Sequence, residues 1–88
     1  MQTESRAEVL KRLNFIEGHL AGIKRMVEAD KYCVDILKQT YAVRRAIEKT
    51  EAIMLDAHLR SCVVDGIKKG RNDEVLAELS DIFEMKGR

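Results

Sequence analysis

CVDILKQTYAVRRAIEKTEAIMLDAHLRSCVVDGIK, residues 33–68, contains no proline and no glycine before Gly66. Apolar residues recur along this stretch from Val34 to Leu55, which predicts one very long helix of about 35 residues. A neighbouring helix of about 25 residues and a short third helix cannot cover every apolar position on a helix of that length. The stretch therefore predicts contact with a second subunit.

The residues before this stretch predict a shorter amphipathic helix. Apolar side chains recur every three or four positions from Leu10 to Val27, which indicates a helix over about residues 5–28. Ser5 and Glu8 fit a capping box at its start, with Ser5 as the N-cap residue. A turn is expected between the two helices, where the apolar pattern lapses.

The residues after the long stretch predict a break and a last short helix. Two lysines followed by a glycine, in KKGRN at residues 68–72, are typical of a helix C-terminus. Asn72 or Asp73 can cap the helix that follows. The chain is thus expected to be one all-α domain, residues 1–88, whose protomer has three helices, at about residues 5–28, 33–68 and 73–84.

Composition excludes several classes of protein. The chain has 88 residues, of which 45% are apolar, and its net charge is +1, so one folded domain is expected and intrinsic disorder is excluded. No apolar run approaches the roughly 20 residues of a membrane span, and the N-terminus has no apolar signal region. We therefore expect a cytoplasmic protein with no membrane partner, in which the two cysteines are thiols and do not form a disulfide.

His58, Cys62 and Cys33 are candidate metal ligands. His58 and Cys62 are four residues apart, so both side chains lie on one face of a helix. By itself such a pair is more often a surface histidine and a buried, inert cysteine. Cys33 begins the same helix, about 38 Å from His58 at 1.5 Å per residue. An antiparallel pairing of two subunits brings Cys33 of one chain beside His58 and Cys62 of the other and creates two equivalent sites.

Two thiolates and one imidazole form a soft ligand set, which favours copper(I) or zinc over magnesium or calcium. A three-coordinate set suits copper(I), whereas zinc would need a fourth ligand. A redox role is the alternative, because two cysteines that meet across a dimer can form a disulfide or carry sulfur adducts. Ligand chemistry alone leaves these alternatives open.

The distribution of charge is compatible with DNA binding. Lysine and arginine exceed acidic residues in residues 1–50, and the balance is reversed in residues 51–88. No helix-turn-helix, zinc-finger or basic-zipper pattern is present. Glutamates interrupt the basic positions, so a solvated helix face is an equally good interpretation of any one of them. The candidate phosphate contacts on the first two helices are Lys11, Arg12, Lys24, Arg25, Arg44, Arg45 and Lys49.

Together these residues resemble a known family, the copper-sensitive operon repressors, over nearly the whole chain. The family also includes sensors of nickel or cobalt, formaldehyde and persulfides. The Cys–His–Cys spacing is similar to that of its copper(I)-sensing branch. The nickel/cobalt branch has an additional ligand near the N-terminus, whereas this chain has no histidine before His19. The motifs that carry the resemblance are Arg12-Leu13, Glu17-Gly18-His19-Leu20, Gly22-Ile23, Arg25-Met26-Val27-Glu28, Tyr32-Cys33-Val34-Asp35-Ile36-Leu37, Gln39, Ala42-Val43, His58-Leu59 and Cys62.

The resemblance implies an antiparallel four-helix-bundle dimer and a dimer-of-dimers tetramer. It implies that the copper-free protein binds operator DNA and that copper(I) releases it, which induces copper-export genes. It also implies supporting roles beside the metal for Tyr32 and Glu78, and DNA contacts for Arg12 and Lys49. A metal-bound imidazole commonly makes a hydrogen bond through its other nitrogen, which is the role that the resemblance implies for Glu78.

Two other functions are compatible with this sequence. A sensor of zinc, formaldehyde or reactive sulfur with the same fold would use the same residues, and a copper buffer or chaperone would not need the basic positions. An enzyme with a small-molecule substrate is not expected, because the chain has no glycine-rich phosphate loop and no nucleophile–base pair besides the cysteine and histidine of one helix face.

Overall fold

The computed structural model describes residues 1–86, and all regular secondary structure in that range is helical. The expected all-α class is thus confirmed. In chain order the elements are α1 (Thr3–Glu28), α2 (Cys33–His58), a π-helical turn (Leu59–Val63), α3 (Val64–Lys68) and α4 (Asn72–Lys86).

The elements from Cys33 to Lys68 follow one another without a break, so they form one long helical rod, as the sequence predicts. The expectation of a uniform α-helix is wrong at the π-helical turn, whose wider spacing of hydrogen bonds inserts an extra residue into the rod. Within this turn the Ser61 hydroxyl donates to the carbonyl oxygen of Ala57 at 2.7 Å. The apolar periodicity of the sequence does not reveal such a local widening.

The first helix begins earlier than its capping box predicts. Helix α1 starts at Thr3, with extended backbone at Gln2 and no side-chain cap hydrogen bond. The Glu8 carboxylate does not reach back to the helix start, because it accepts a hydrogen bond from the Arg12 guanidinium at 2.9 Å. Ser5 is therefore an ordinary residue of the first turn and not the N-cap.

Both turns contain a residue in the left-handed region. Asp30 has a φ of 52° between α1 and α2, and Gly70 has a φ of 76° between α3 and α4. After Gly70 the Arg71 amide donates to the carbonyl oxygen of Gly66 at 2.8 Å, which closes the end of the rod. The last helix then starts at Asn72 and reaches Lys86, slightly longer than predicted.

Helices α1 and α2 pack against each other through a small core. Ile16, Ile23 and Val43 are buried there, with Ile36 and Ala46 packed around them. The described chain measures 56 × 29 × 14 Å, which is little more than one helix in thickness. One face of each helix is therefore covered within the chain and the others are not.

Helix α4 docks on the end of the rod at Gly66. A Cβ atom at Gly66 would lie 2.7 Å from Cγ2 of Val75, so the two helices approach more closely there than any other residue would allow. Val75 is buried by this contact. Within residues 1–86, no helix has the length and hydropathy needed to cross a membrane.

Candidate functional site

The histidine and second cysteine of the predicted metal site lie at the junction between α2 and the π-helical turn. His58 is the last residue of α2, and Cys62 lies inside the turn. A four-residue spacing slightly exceeds one turn of an α-helix and slightly falls short of one turn of a π-helix. Both geometries keep the two side chains on one side of the rod. The Cys62 thiol forms no disulfide and is exposed.

Cys33 is distant from this pair within one chain. It begins α2, and the 1.5 Å rise per residue separates it from His58 by about 38 Å. Among residues 1–86, no three histidine, cysteine, aspartate or glutamate side chains form a group that could hold a metal ion. One chain thus brings together His58 and Cys62 but not Cys33.

Cys33 and His58 nevertheless lie on the same side of α2. They are 25 residues apart in a continuous α-helix, which corresponds to a net rotation of only about 20°. Apolar side chains of both long helices are exposed on that side. We call this side the apolar face; its exposed residues are Leu13, Leu20, Val27, Ile47 and Met54.

Glu78 of α4 reaches the candidate metal site. Its Oε2 atom lies 3.5 Å from Nε2 of His58, and the His58 side chain is 31% exposed. The close approach of α4 at Gly66 holds Glu78 at this end of the rod. Tyr32 immediately precedes α2 and is 69% exposed, so within one chain it is as far from His58 as Cys33 is.

The opposite side of the helix pair is polar. Nε2 of His19 and Oε1 of Gln39 form a hydrogen bond of 2.7 Å there, which links α1 to α2. Viewed along the axis of α1, the Arg12 side chain lies about 40° and the Lys11 side chain about 140° from the direction of the core residue Ile16. Both lie on the same side of Ile16 as His19.

On α2, Arg45 and Lys49 are turned from the core residue Val43 toward the side of Gln39, by about 160° and 120° respectively. Lys38, which the sequence reasoning missed, is turned by about 140° in the same direction. It precedes Arg45 by seven residues and Lys49 by eleven, a helical spacing that places the three cations on one side of α2 and could have revealed Lys38 in the sequence. We call this side the basic face; its residues are Lys11, Arg12, Lys38, Arg45 and Lys49.

The other predicted DNA contacts do not join the basic face. Lys24 and Arg44 are turned toward the apolar face, by about 80° and 100° from the core residues of their helices, and Arg25 points away from α2. The Arg44 guanidinium instead lies 4.9 Å from the centroid of the Tyr41 ring.

The basic face retains most of its charge. Its one ion pair within residues 1–86 joins Arg12 to Glu8 at 2.9 Å. Lys38, Arg45 and Lys49 are exposed on one side of α2, so three cations without carboxylate partners follow that helix. Such a row can bind a polyanion.

The sequence model of the metal-sensitive transcriptional repressor family matches residues 5–85. A copper-sensing transcriptional repressor of Bacillus subtilis, CsoR, is 40% identical over 82 residues, which cover 93% of this chain and 81% of that protein.

Two solved structures are similar to the whole chain. The crystal structure of the copper-sensing repressor CsoR with Cu(I) from Geobacillus thermodenitrificans NG80-2 has a TM-score of 0.93 and 33% identity, and the match covers 100% of this chain and 92% of that one. The nickel-responsive transcriptional regulator InrS has a TM-score of 0.78 and 33% identity, with 97% and 96% covered. This chain belongs to the metal-sensitive transcriptional repressor family, which is a family of regulators and not of enzymes.

Proposed function

We propose that this protein is a copper(I)-responsive repressor, which binds operator DNA without copper and releases it when copper binds, so that genes for copper export or resistance are expressed. The observation that carries the proposal is the position of Cys33 and His58 at opposite ends of one uncovered apolar face. The names of the similar proteins, CsoR from two organisms, support copper as the signal.

An antiparallel dimer would complete the metal site. Pairing two apolar faces about a two-fold axis covers the exposed apolar side chains and brings Cys33 of one chain to His58 and Cys62 of the other. The residues present fit copper(I): both thiols are free and exposed, and two sulfur atoms with one imidazole are soft donors. In this proposal, Cys33 comes from one subunit and His58 and Cys62 come from its partner.

The donor set suits copper(I) without a further ligand. Two thiolates and one imidazole satisfy a low-coordinate copper(I) ion, whereas zinc requires a fourth ligand. A sensor of zinc, formaldehyde or reactive sulfur is the second candidate, since the same cysteines could serve it.

Through the contact between His58 and Glu78, metal binding at α2 could change the position of α4. Nε2 of His58 faces Glu78, so Nδ1 is the nitrogen available to the metal. A carboxylate on the second nitrogen fixes the orientation of a metal-bound imidazole. Binding of copper would therefore strengthen or reorient a contact that connects α2 to α4. Tyr32, adjacent to Cys33, would enter the site from the other subunit and support it there.

The basic face is the proposed DNA-binding surface. Assembly into dimers and a tetramer would repeat the face several times and produce a broad positive surface. A repressor that acts on chromosomal DNA works in the cytoplasm, in keeping with the expected location.

The proposal is tested by anaerobic titration of copper(I) into the protein bound to a labelled DNA fragment from upstream of its own gene. The proposal predicts a loss of fluorescence anisotropy that is complete at about one copper per subunit, and no loss with zinc or formaldehyde at the same concentration. Release by zinc or formaldehyde alone would favour the second candidate. Failure to bind the fragment at all would contradict a repressor of that promoter.

A further inference from the structure

Phe15 is the most exposed large apolar side chain among residues 1–86, at 74%. It lies in the middle of α1, about three turns from either end of that helix. It belongs neither to the buried stripe of that helix, which contains Ile16 and Ile23, nor to the apolar face. Packing within the chain and the proposed dimer therefore leaves its exposure unexplained.

Phe15 lies on the same side of the molecule as the basic face. It precedes the core residue Ile16 by one position and is therefore turned from it by about 100°. The rotation is toward His19, whose hydrogen bond to Gln39 marks the side shared by α1 and α2. Lys11 and Arg12 precede it on α1 along that side. Across the core, α2 carries the other three cations of the basic face.

The space beside the Phe15 ring is open. A Cβ atom at Gly18, one turn later in α1, would meet no atom within 4 Å. Asn14, Phe15, Gly18 and His19 line a shallow, open depression. A large partner can therefore reach the ring without displacing other side chains.

We propose that Phe15 contacts DNA directly, with its ring against sugars and base edges in the minor groove while the basic face holds the flanking phosphates. Apolar side chains are used in this way by proteins that bind the minor groove. A second copy of the chain is a poorer partner, because a two-fold contact would place the basic face of one copy against the basic face of the other, and their positive charges would repel. The inference rests on the DNA-binding role proposed above and adds a contact that does not depend on charge.

The matched variants are Phe15→Ala and Phe83→Ala. These are the only two phenylalanines of the chain, and Phe83, in α4, is similarly exposed at 65%. We expect Phe15→Ala to weaken binding to the promoter fragment by about tenfold, because the apolar area of the ring would no longer be buried against the DNA. The slope of the logarithm of affinity against the logarithm of salt concentration should not change, because no phosphate contact is lost. Phe83→Ala should bind like the unmodified protein.

Phe15→Trp provides a direct readout, because the chain contains no tryptophan. Its fluorescence should be quenched when the DNA fragment is added and should recover when copper(I) releases the DNA, whereas Phe83→Trp should show neither change. Unchanged affinity of Phe15→Ala, an equal loss in Phe83→Ala, or a loss that accompanies dissociation of the oligomer in light scattering would overturn the inference. If the unmodified protein binds the fragment and Phe15→Ala binds it equally well, only this inference fails; if neither binds, the proposed function fails.

Discussion

Among single residues, His58 and Glu78 make the contact that would connect metal binding to the fold in the proposed function. Nε2 and Oε2 are 3.5 Å apart, and the Glu78 side chain is 62% exposed. An exposed contact of that length contributes little to stability. In the proposed function this contact orients the His58 ring that would bind the metal, and it connects that ring to α4.

Glu78→Gln is expected to separate copper binding from DNA release. The amide keeps the size of the side chain and removes its charge, so copper affinity should stay largely intact while the amount of copper needed for DNA release rises. Glu74→Gln, on the same helix, is the control and should behave like the unmodified protein. Anaerobic titrations of each variant, followed by anisotropy of labelled DNA, measure both properties. Normal release by Glu78→Gln would show that the signal takes another route.

Residue type and spacing were enough to select Cys33, His58 and Cys62 as candidate ligands. The pairing of His58 with Glu78 could not be predicted from spacing, because it depends on how α4 folds back onto the rod; only the family resemblance indicated it. Lys38 was readable from helical spacing and was missed. The exposure of Phe15 could not be foreseen, since it depends on which face of α1 is covered.

Among the helices, the π-helical turn is the element that shapes the candidate site, because it begins directly after His58 and contains Cys62. Extra-residue turns of this kind are frequent at functional sites. Apolar periodicity predicted the length and continuity of the rod from Cys33 to Lys68. It could not predict the π-helical turn, because a wider turn of five residues is too short to shift a pattern of three- and four-residue steps recognisably.

The docking of α4 on α3 can be tested through Gly66. We expect Gly66→Ala to lower the free energy of unfolding by about 1–3 kcal/mol, because the new methyl group would overlap the buried Val75 side chain. Gly18→Ala is the matched control, since its methyl group enters open space. That variant should be stabilised by up to about 1 kcal/mol, the cost of glycine in a helix interior. Urea unfolding followed by circular dichroism measures the free energy of unfolding of both variants. Equal stability of Gly66→Ala and Gly18→Ala would show that α4 does not pack closely against Gly66.

Because the basic face and the apolar face lie on different sides of the helix pair, variants on the two sides should differ in how their DNA affinity depends on salt. Lys38→Gln and Lys49→Gln should each reduce the slope of log affinity against log salt by about 0.9 per subunit that contacts DNA. Lys24→Gln, on the side of the apolar face, should leave the slope unchanged. Anisotropy titrations at several salt concentrations determine all three slopes. A normal slope for Lys38→Gln would show that Lys38 makes no phosphate contact.

At the scale of the whole molecule, the chain is a layer little thicker than one helix, 14 Å in its shortest dimension. One side of this layer carries uncovered apolar residues and the candidate ligands Cys33 and His58, and the other carries cations and Phe15. The sequence predicts contact with a second subunit from the length of the rod together with the apolar positions along it. It does not predict which residues lie on each side, because that depends on the rotation of α1 against α2.

The shared metal site is tested most directly by a mixed dimer of Cys33→Ser and Cys62→Ser chains, purified with two different affinity tags. Each single-variant dimer lacks a ligand in both sites and should bind no copper(I) tightly. The mixed dimer has one complete site, formed by Cys33 of one chain with His58 and Cys62 of the other. An anaerobic titration should therefore find about one tightly bound copper(I) per mixed dimer. No tight copper in the mixed dimer, or tight copper in either single-variant dimer, would contradict a site shared between subunits.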